Sequence, residues 1–142
     1  MSKVSDRFWR KEYKKTLKGR LSRKCSGINT TAKQRGYPST LKTRELLRLW
    51  KGQGGRVDTC GIIIEDMKCG MCGANISTMI IGSFVADHII PLNIGGNSTI
   101  ENLQFICNKC NDIKTRIIDI DANIKPKSNN YTPTYKQMTF NF

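Results

Sequence analysis

The chain has a single histidine among its 142 residues, so any imidazole chemistry it performs belongs to His88. It has no apolar run approaching the roughly 18 residues that span a bilayer. Its start, MSKVSDRFWRKEYKK, lacks the apolar stretch of a secretory leader. A cytoplasmic protein with no membrane partner is therefore expected. In a reducing compartment the six cysteines are expected to be thiols, and two disulfides in a secreted domain are the competing reading. Acid is scarce in one half only. Residues 1–57 carry 17 Lys and Arg against three acids, Asp6, Glu12 and Glu45, a charge of +14; residues 58–142 carry 7 against 8, a charge of −1. Such asymmetry favours a polyanionic partner and strongly salt-dependent binding, because each neutralised phosphate releases condensed counterions. The plainer alternative is a soluble cationic surface.

No internal repeat is visible, and the length suits one modest domain with an appendage. Trp9, Tyr13, Leu17 and Leu21, four residues apart, predict a helix from residue 6 to about 23 that Gly19 weakens. A second, short helix is expected from Ile28 to Arg35, stopping at Gly36 with Pro38 beyond. A third has Thr43 as its N-cap, Glu45 in its first turn and an apolar face of Leu46, Leu49 and Trp50, ending before Gly54-Gly55. Ile62, Ile63 and Ile64 suggest a short buried strand leading to Cys69. Cys60 reads as a buried small hydrophobe or as a fifth thiol near the others, the former preferred. Cys25, isolated among basic residues, receives no role. Residues 79–90 fit a strand or bent pair of strands ending at Asp87-His88-Ile89. Gly95-Gly96-Asn97 marks a loop, Leu103 to Ile106 resumes extended structure, and a helix follows Cys107 to about Ile118. Residues from Ala122 to Phe142 read as an extended arm.

The chemistry-bearing residues cluster between 69 and 115. Cys69/Cys72 and Cys107/Cys110 form two C-x-x-C pairs, a spacing that lets both sulfurs of a turn face one ion at about 2.3 Å. Four sulfurs close the coordination sphere, so the expected zinc is structural. The 34 residues between the pairs have room for a hairpin that returns the second pair to the first. On that hairpin, His88 can take a proton from water near neutral pH. Asp87, from the other strand face or through a bulge, and Asn111, on the following helix, can offer oxygens to a hard divalent ion. One carboxylate and one amide leave such an ion open to water and phosphate oxygens, as phosphodiester hydrolysis requires.

Asp87-His88-Ile89-Ile90-Pro91, Gly95-Gly96, Glu101-Asn102-Leu103-Gln104 and Cys107-x-x-Cys110-Asn111-x-x-Lys114 together resemble the HNH endonucleases, over about a third of the chain. The resemblance implies an α+β fold with a ββα-metal core. It makes His88 the general base, Asp87 and Asn111 the ligands of a catalytic Mg or Mn ion, and Asn102 the residue that fixes the loop and orients the histidine. Many members carry histidine where Asn111 stands, and the amide is a weaker ligand. A fainter likeness to small phage-type members runs through Ala32-Lys33-x-Arg35-Gly36-Tyr37-Pro38 and Gln53-Gly54-Gly55-Arg56, departing at residues 57–68.

These readings divide the chain into a basic helical DNA-binding region, 1–57, a zinc-stabilised nuclease core, 58–120, and an extended arm, 121–142. The expected activity is metal-dependent cleavage of double-stranded DNA by a free-standing enzyme of phage or mobile-element type, homing endonucleases included, acting in a bacterial or phage-infected cell as monomer or homodimer. Lys33, Arg35, Lys109 and Lys114 are the expected phosphate contacts, the last two being alternatively solvated helix residues. The rivals are a non-catalytic zinc-ribbon DNA-binding regulator and a nuclease acting on RNA.

Overall fold

The computed structural model describes residues 3–37 and 39–119; the expected arm at 121–142 lies outside the described residues. Two helices precede the first glycine turn: α1, Lys3–Tyr13, and α2, Leu17–Gln34. The first differs from expectation because Thr16 interrupts the predicted 6–23 helix. Its Oγ1 donates to Tyr13 O (2.7 Å) and accepts from Gly19 N (3.0 Å), ending one helix and capping the next. Gly19 is needed there, since a Cβ would lie 1.9 Å from Tyr13 O. The apolar stripe is split accordingly: Leu17 and Leu21 are buried, while Trp9 and Tyr13 are exposed on α1. The helix expected from Ile28 is simply the continuation of α2, whose Leu17, Leu21, Cys25 and Ile28 recur at helical spacing on the core side.

Helix α3, Thr43–Gly52, begins one residue earlier than expected, because Glu45 Oε2 accepts from Lys42 N (2.8 Å) and makes Lys42 the cap. Leu46 and Trp50 are fully buried and Leu49 is partly so. Burial of one such side chain is worth about 1.5–3 kcal/mol. After α3, Gln53 is the link to the nuclease segment. Its Nε2 donates to Lys68 O and Phe105 O, and its Oε1 accepts from Phe105 N, all at 2.8 Å.

Strands β1, Arg56–Val57, and β2, Ile63–Glu65, form an antiparallel ribbon, with Asp58 Oδ1 holding the turn through Cys60 N and Ile62 N. The expected buried strand is thus a surface feature: Ile62 and Ile64 are exposed, and so is Cys60. A two-stranded ribbon has no second layer to cover its outer face. Cys25, by contrast, is buried with its thiol on Leu41 O (3.1 Å).

Strands β3, Phe84–His88, and β4, Leu103–Cys107, pair antiparallel without a bulge, with Asp87 opposite Gln104 and His88 opposite Leu103. Helix α4, Asn108–Ile113, follows and passes into a wider π turn, Lys114–Asp119. One apolar core crosses residue 57: Leu17, Leu21 and Ile28 of α2 and Leu46 and Trp50 of α3 cluster with Phe84, Phe105, Ile106 and Cys110. Phe84 and Phe105 meet edge to face, with ring centroids 5.3 Å apart. The helices therefore brace the β3–β4 ladder on which the chemical groups stand.

Candidate active site and metal centre

Strand pairing brings the two C-x-x-C turns together. The Sγ atoms of Cys69, Cys72, Cys107 and Cys110 all lie within 4.8 Å of one another, and none of the six cysteines forms a disulfide. Sulfurs placed tetrahedrally about 2.3 Å from one ion sit about 3.8 Å apart. The Cys72 and Cys107 sulfurs are 3.8 Å apart. Met71 N and Cys107 N point at Cys69 Sγ, at 3.4 and 3.3 Å. Burial opposes ionisation of Cys69, but backbone hydrogen bonds from Cys72, Cys107 and Met71, in that order, with help from the Cys72 thiol, outweigh it and bring the thiol down to about 7. Burial and the neighbouring sulfurs push Cys107 and Cys110 up. Four such thiols ionise together only around a cation, so the donor set fits zinc.

The other end of β3 carries the second group. Asp87, His88 and Asn111 line one cleft of about 780 Å³, together with Arg35, Tyr37, Pro91, Asn93 and Lys114. His88 Nε2 is 2.9 Å from Ser98 Oγ. Burial lowers the His88 pKa below the ordinary 6.5; Asp87 opposes that shift, while the Lys114 and Arg35 charges reinforce it. The imidazole is thereby kept neutral, the form in which it can accept a proton.

Asp87 is nearly buried, and each of its oxygens has a partner: Lys114 Nζ on Oδ1 and Gln104 Nε2 on Oδ2, both at 3.0 Å. Lys114 is 1% exposed and also donates to His88 O (2.9 Å). This corrects the alternative reading of Lys114 as a solvated helix residue. The carbonyl and carboxylate draw the ammonium inward and lock the Asp87-His88 backbone. Lys33 and Lys109 are exposed, while Arg35 is an exposed residue lining the cleft.

Asn102 fastens the loop that returns from His88. Its Oδ1 accepts from Ile90 N (2.8 Å), and its Nδ2 donates to Ile90 O (2.9 Å) and Asn97 O (2.7 Å). Gly95, at φ 104°, and Gly96, where a Cβ would lie 1.8 Å from Ile90 O, let the loop close this tightly. Asn102→Ala should remove the side-chain partner of Ile90 N, Ile90 O and Asn97 O at partly buried positions and cost about 1–3 kcal/mol, read from urea unfolding of zinc-loaded protein. An unchanged midpoint would remove Asn102 from this structural role.

The family model described as HNH endonuclease matches residues 69–116. This segment is an HNH domain. No curated protein and no solved structure matches the chain. Within the HNH domain, the strand register places Gln104 across from Asp87, a partnership that antiparallel pairing alone would have suggested. Ser98 had no such signal, being an unremarked serine in a loop. Tyr37, a residue of the fainter likeness, lines the HNH cleft from outside the matched segment.

Proposed function

We propose that the protein is a metal-dependent endonuclease that hydrolyses phosphodiester bonds in duplex DNA. The observation that carries this reading is the convergence of a neutral imidazole, a carboxylate, an amide and an arginine on a single open cleft. With Nε2 protonated and donating to Ser98 Oγ, Nδ1 of His88 carries the lone pair that takes the proton from an attacking water. Asp87 and Asn111 fit a divalent cation in kind, both offering hard oxygen donors on the cleft wall, although Asp87 shares its charge with Lys114. When bound there, magnesium or manganese would stabilise charge on the departing 3′ oxygen. Cleavage then leaves 5′-phosphate and 3′-hydroxyl ends.

Lys33 and Lys109 are proposed to contact backbone phosphates, and the basic helices before residue 57 to grip the duplex. Arg35 is proposed to meet the phosphate in the cleft itself. A zinc-ribbon regulator would account for the charge and the four sulfurs, but not for Asp87, Asn102 and Asn111 arranged around the His88 loop. We further propose that the enzyme belongs to the small phage or mobile-element type.

The pH dependence of kcat/KM tests the assignment, since it reports the free enzyme's groups. A base with a depressed pKa is competent above that pKa and fails as protons bind below it. The acid limb should therefore have its midpoint below the ordinary histidine value of 6.5, with a flat rate from about pH 7 to 8. A midpoint above about pH 7 contradicts His88 as the base. Parallel reactions on DNA and RNA, with magnesium, manganese or chelator, separate the polymer classes.

A further inference from the structure

A second cavity, of about 280 Å³, lies between α2 and the loop leading into β3 and shares no residue with the His88 cleft. Arg20, Arg23 and Lys24 line it, with Thr78, Ile80, Ile81, Gly82 and Phe84. Three cations meet here without an acid. Among the described residues none of the three forms an ion pair. The Nε of Arg20 is buried and has no hydrogen-bond partner, an arrangement that costs free energy unless an acceptor arrives. Lys24 is fixed to the wall, its Nζ donating to Phe84 O (2.9 Å) and lying 4.6 Å above the Phe84 ring. Ile80 and Ile81 form an exposed apolar lip.

Both cavities are built along the same two elements. The His88 cleft takes Arg35 from the C-terminal end of α2 and His88 from the end of β3; the second cavity takes Lys24 from earlier in α2 and Phe84 from the start of β3. Four residues of strand span about 13 Å, and eleven of helix about 17 Å. Such a separation covers a few nucleotides of one backbone.

We propose that this second cavity binds a backbone phosphate of the DNA substrate, a few nucleotides from the phosphate that is cleaved. The proposal rests on the endonuclease reading above. Cationic floor and apolar lip match the alternation of phosphate and deoxyribose along a strand, so Arg20 and Arg23 hold the phosphate while Ile80 and Ile81 lie against the adjoining sugar. Contacts of this kind set the register in which the duplex reaches His88 without reading its sequence.

The test uses the full chain, zinc-loaded, with His88→Ala to keep the duplex intact, compared with the same protein carrying Arg20→Gln and Arg23→Gln. The double substitution should weaken duplex binding about tenfold or more at about 0.1 M salt and reduce the slope of log affinity against log salt by about 1–2. With His88 restored, cleavage at subsaturating duplex should fall in step with the lost affinity. Because Arg20 is partly buried, Arg23→Glu at an exposed position serves as the second variant and should lower the slope by at least about one. Equal slopes and affinities, in protein that still cleaves duplex, overturn the second site alone. Failure of the His88→Ala parent to bind duplex at all overturns the nuclease reading as well. Inorganic phosphate that raises the melting temperature of the parent but not of the variants, with duplex slopes equal, identifies a small-anion site and contradicts the DNA assignment.

Discussion

Replacing His88 with alanine is expected to slow duplex cleavage by about 10²–10⁴-fold, the range by which a positioned general base accelerates proton transfer. The substitution removes a half-buried ring whose one side-chain partner is Ser98 Oγ, a hydroxyl that can turn to water. The Asp87–Lys114 pair, the Asn102 loop bonds and the four sulfurs do not depend on the imidazole. Zinc content, melting temperature and duplex affinity should therefore stay near their wild-type values while cleavage falls. If the variant cuts as fast as the wild type, the role assigned to His88 is wrong. If zinc is lost along with cleavage, the histidine is structural.

Loss of the sulfur-bound ion should have the largest effect on stability. Apparent zinc-binding free energies of about 10–16 kcal/mol in small finger peptides appear directly as folding free energy, and in a chain of this size several kcal/mol is much of the total. Cys72→Ser is the informative variant, because Cys72 is exposed and its replacement removes a ligand without opening a cavity in the core. We expect less than one equivalent of zinc at micromolar protein and a melting temperature lower by at least about 15 °C, an effect that a strong chelator should reproduce on the wild-type protein. One tightly held equivalent and an unchanged melting temperature in Cys72→Ser would show that the four thiols do not form one metal centre. Cys60→Ser, on the exposed β1–β2 turn, is the matched control with no change expected.

The centre of the site was legible because its chemistry depends on short spacings. Two C-x-x-C turns, Asp87-His88 on a strand, and Asn111 one residue after Cys110 survive as local facts however the rest folds. The four cysteines came together as the C-x-x-C spacing implied, and the β3–β4 ladder and α4 appeared near where hydrophobic alternation and turn residues had put them. What was not legible depended on distant partners. Lys114 read as a solvated helix lysine, and only the folded chain shows that Asp87 Oδ1 and His88 O draw its ammonium inward. The stretch joining the two expected helices holds Ser26 and Gly27, which are unfavourable in an isolated helix. Packing of Leu17, Leu21 and Ile28 against the ladder overrides them. Conversely, three successive isoleucines suggested burial at 62–64, yet only Ile63 packs against the core, because the outer face of the ribbon has no covering layer. Arg35 and Tyr37 reach the cleft from a part of the chain about fifty residues from His88 in sequence, a distance no periodicity argument bridges.

The most direct test of the account is an analysis of product ends. A duplex labelled on both strands is incubated with the full chain and magnesium or manganese, and the ends of any fragments are identified. Water attack assisted by His88, with the 3′ oxygen as leaving group, predicts fragments bearing 5′-phosphate and 3′-hydroxyl groups that disappear when chelator is added. Fragments ending in 3′-phosphate, or a duplex that is bound yet stays whole in every divalent metal tried, would contradict it.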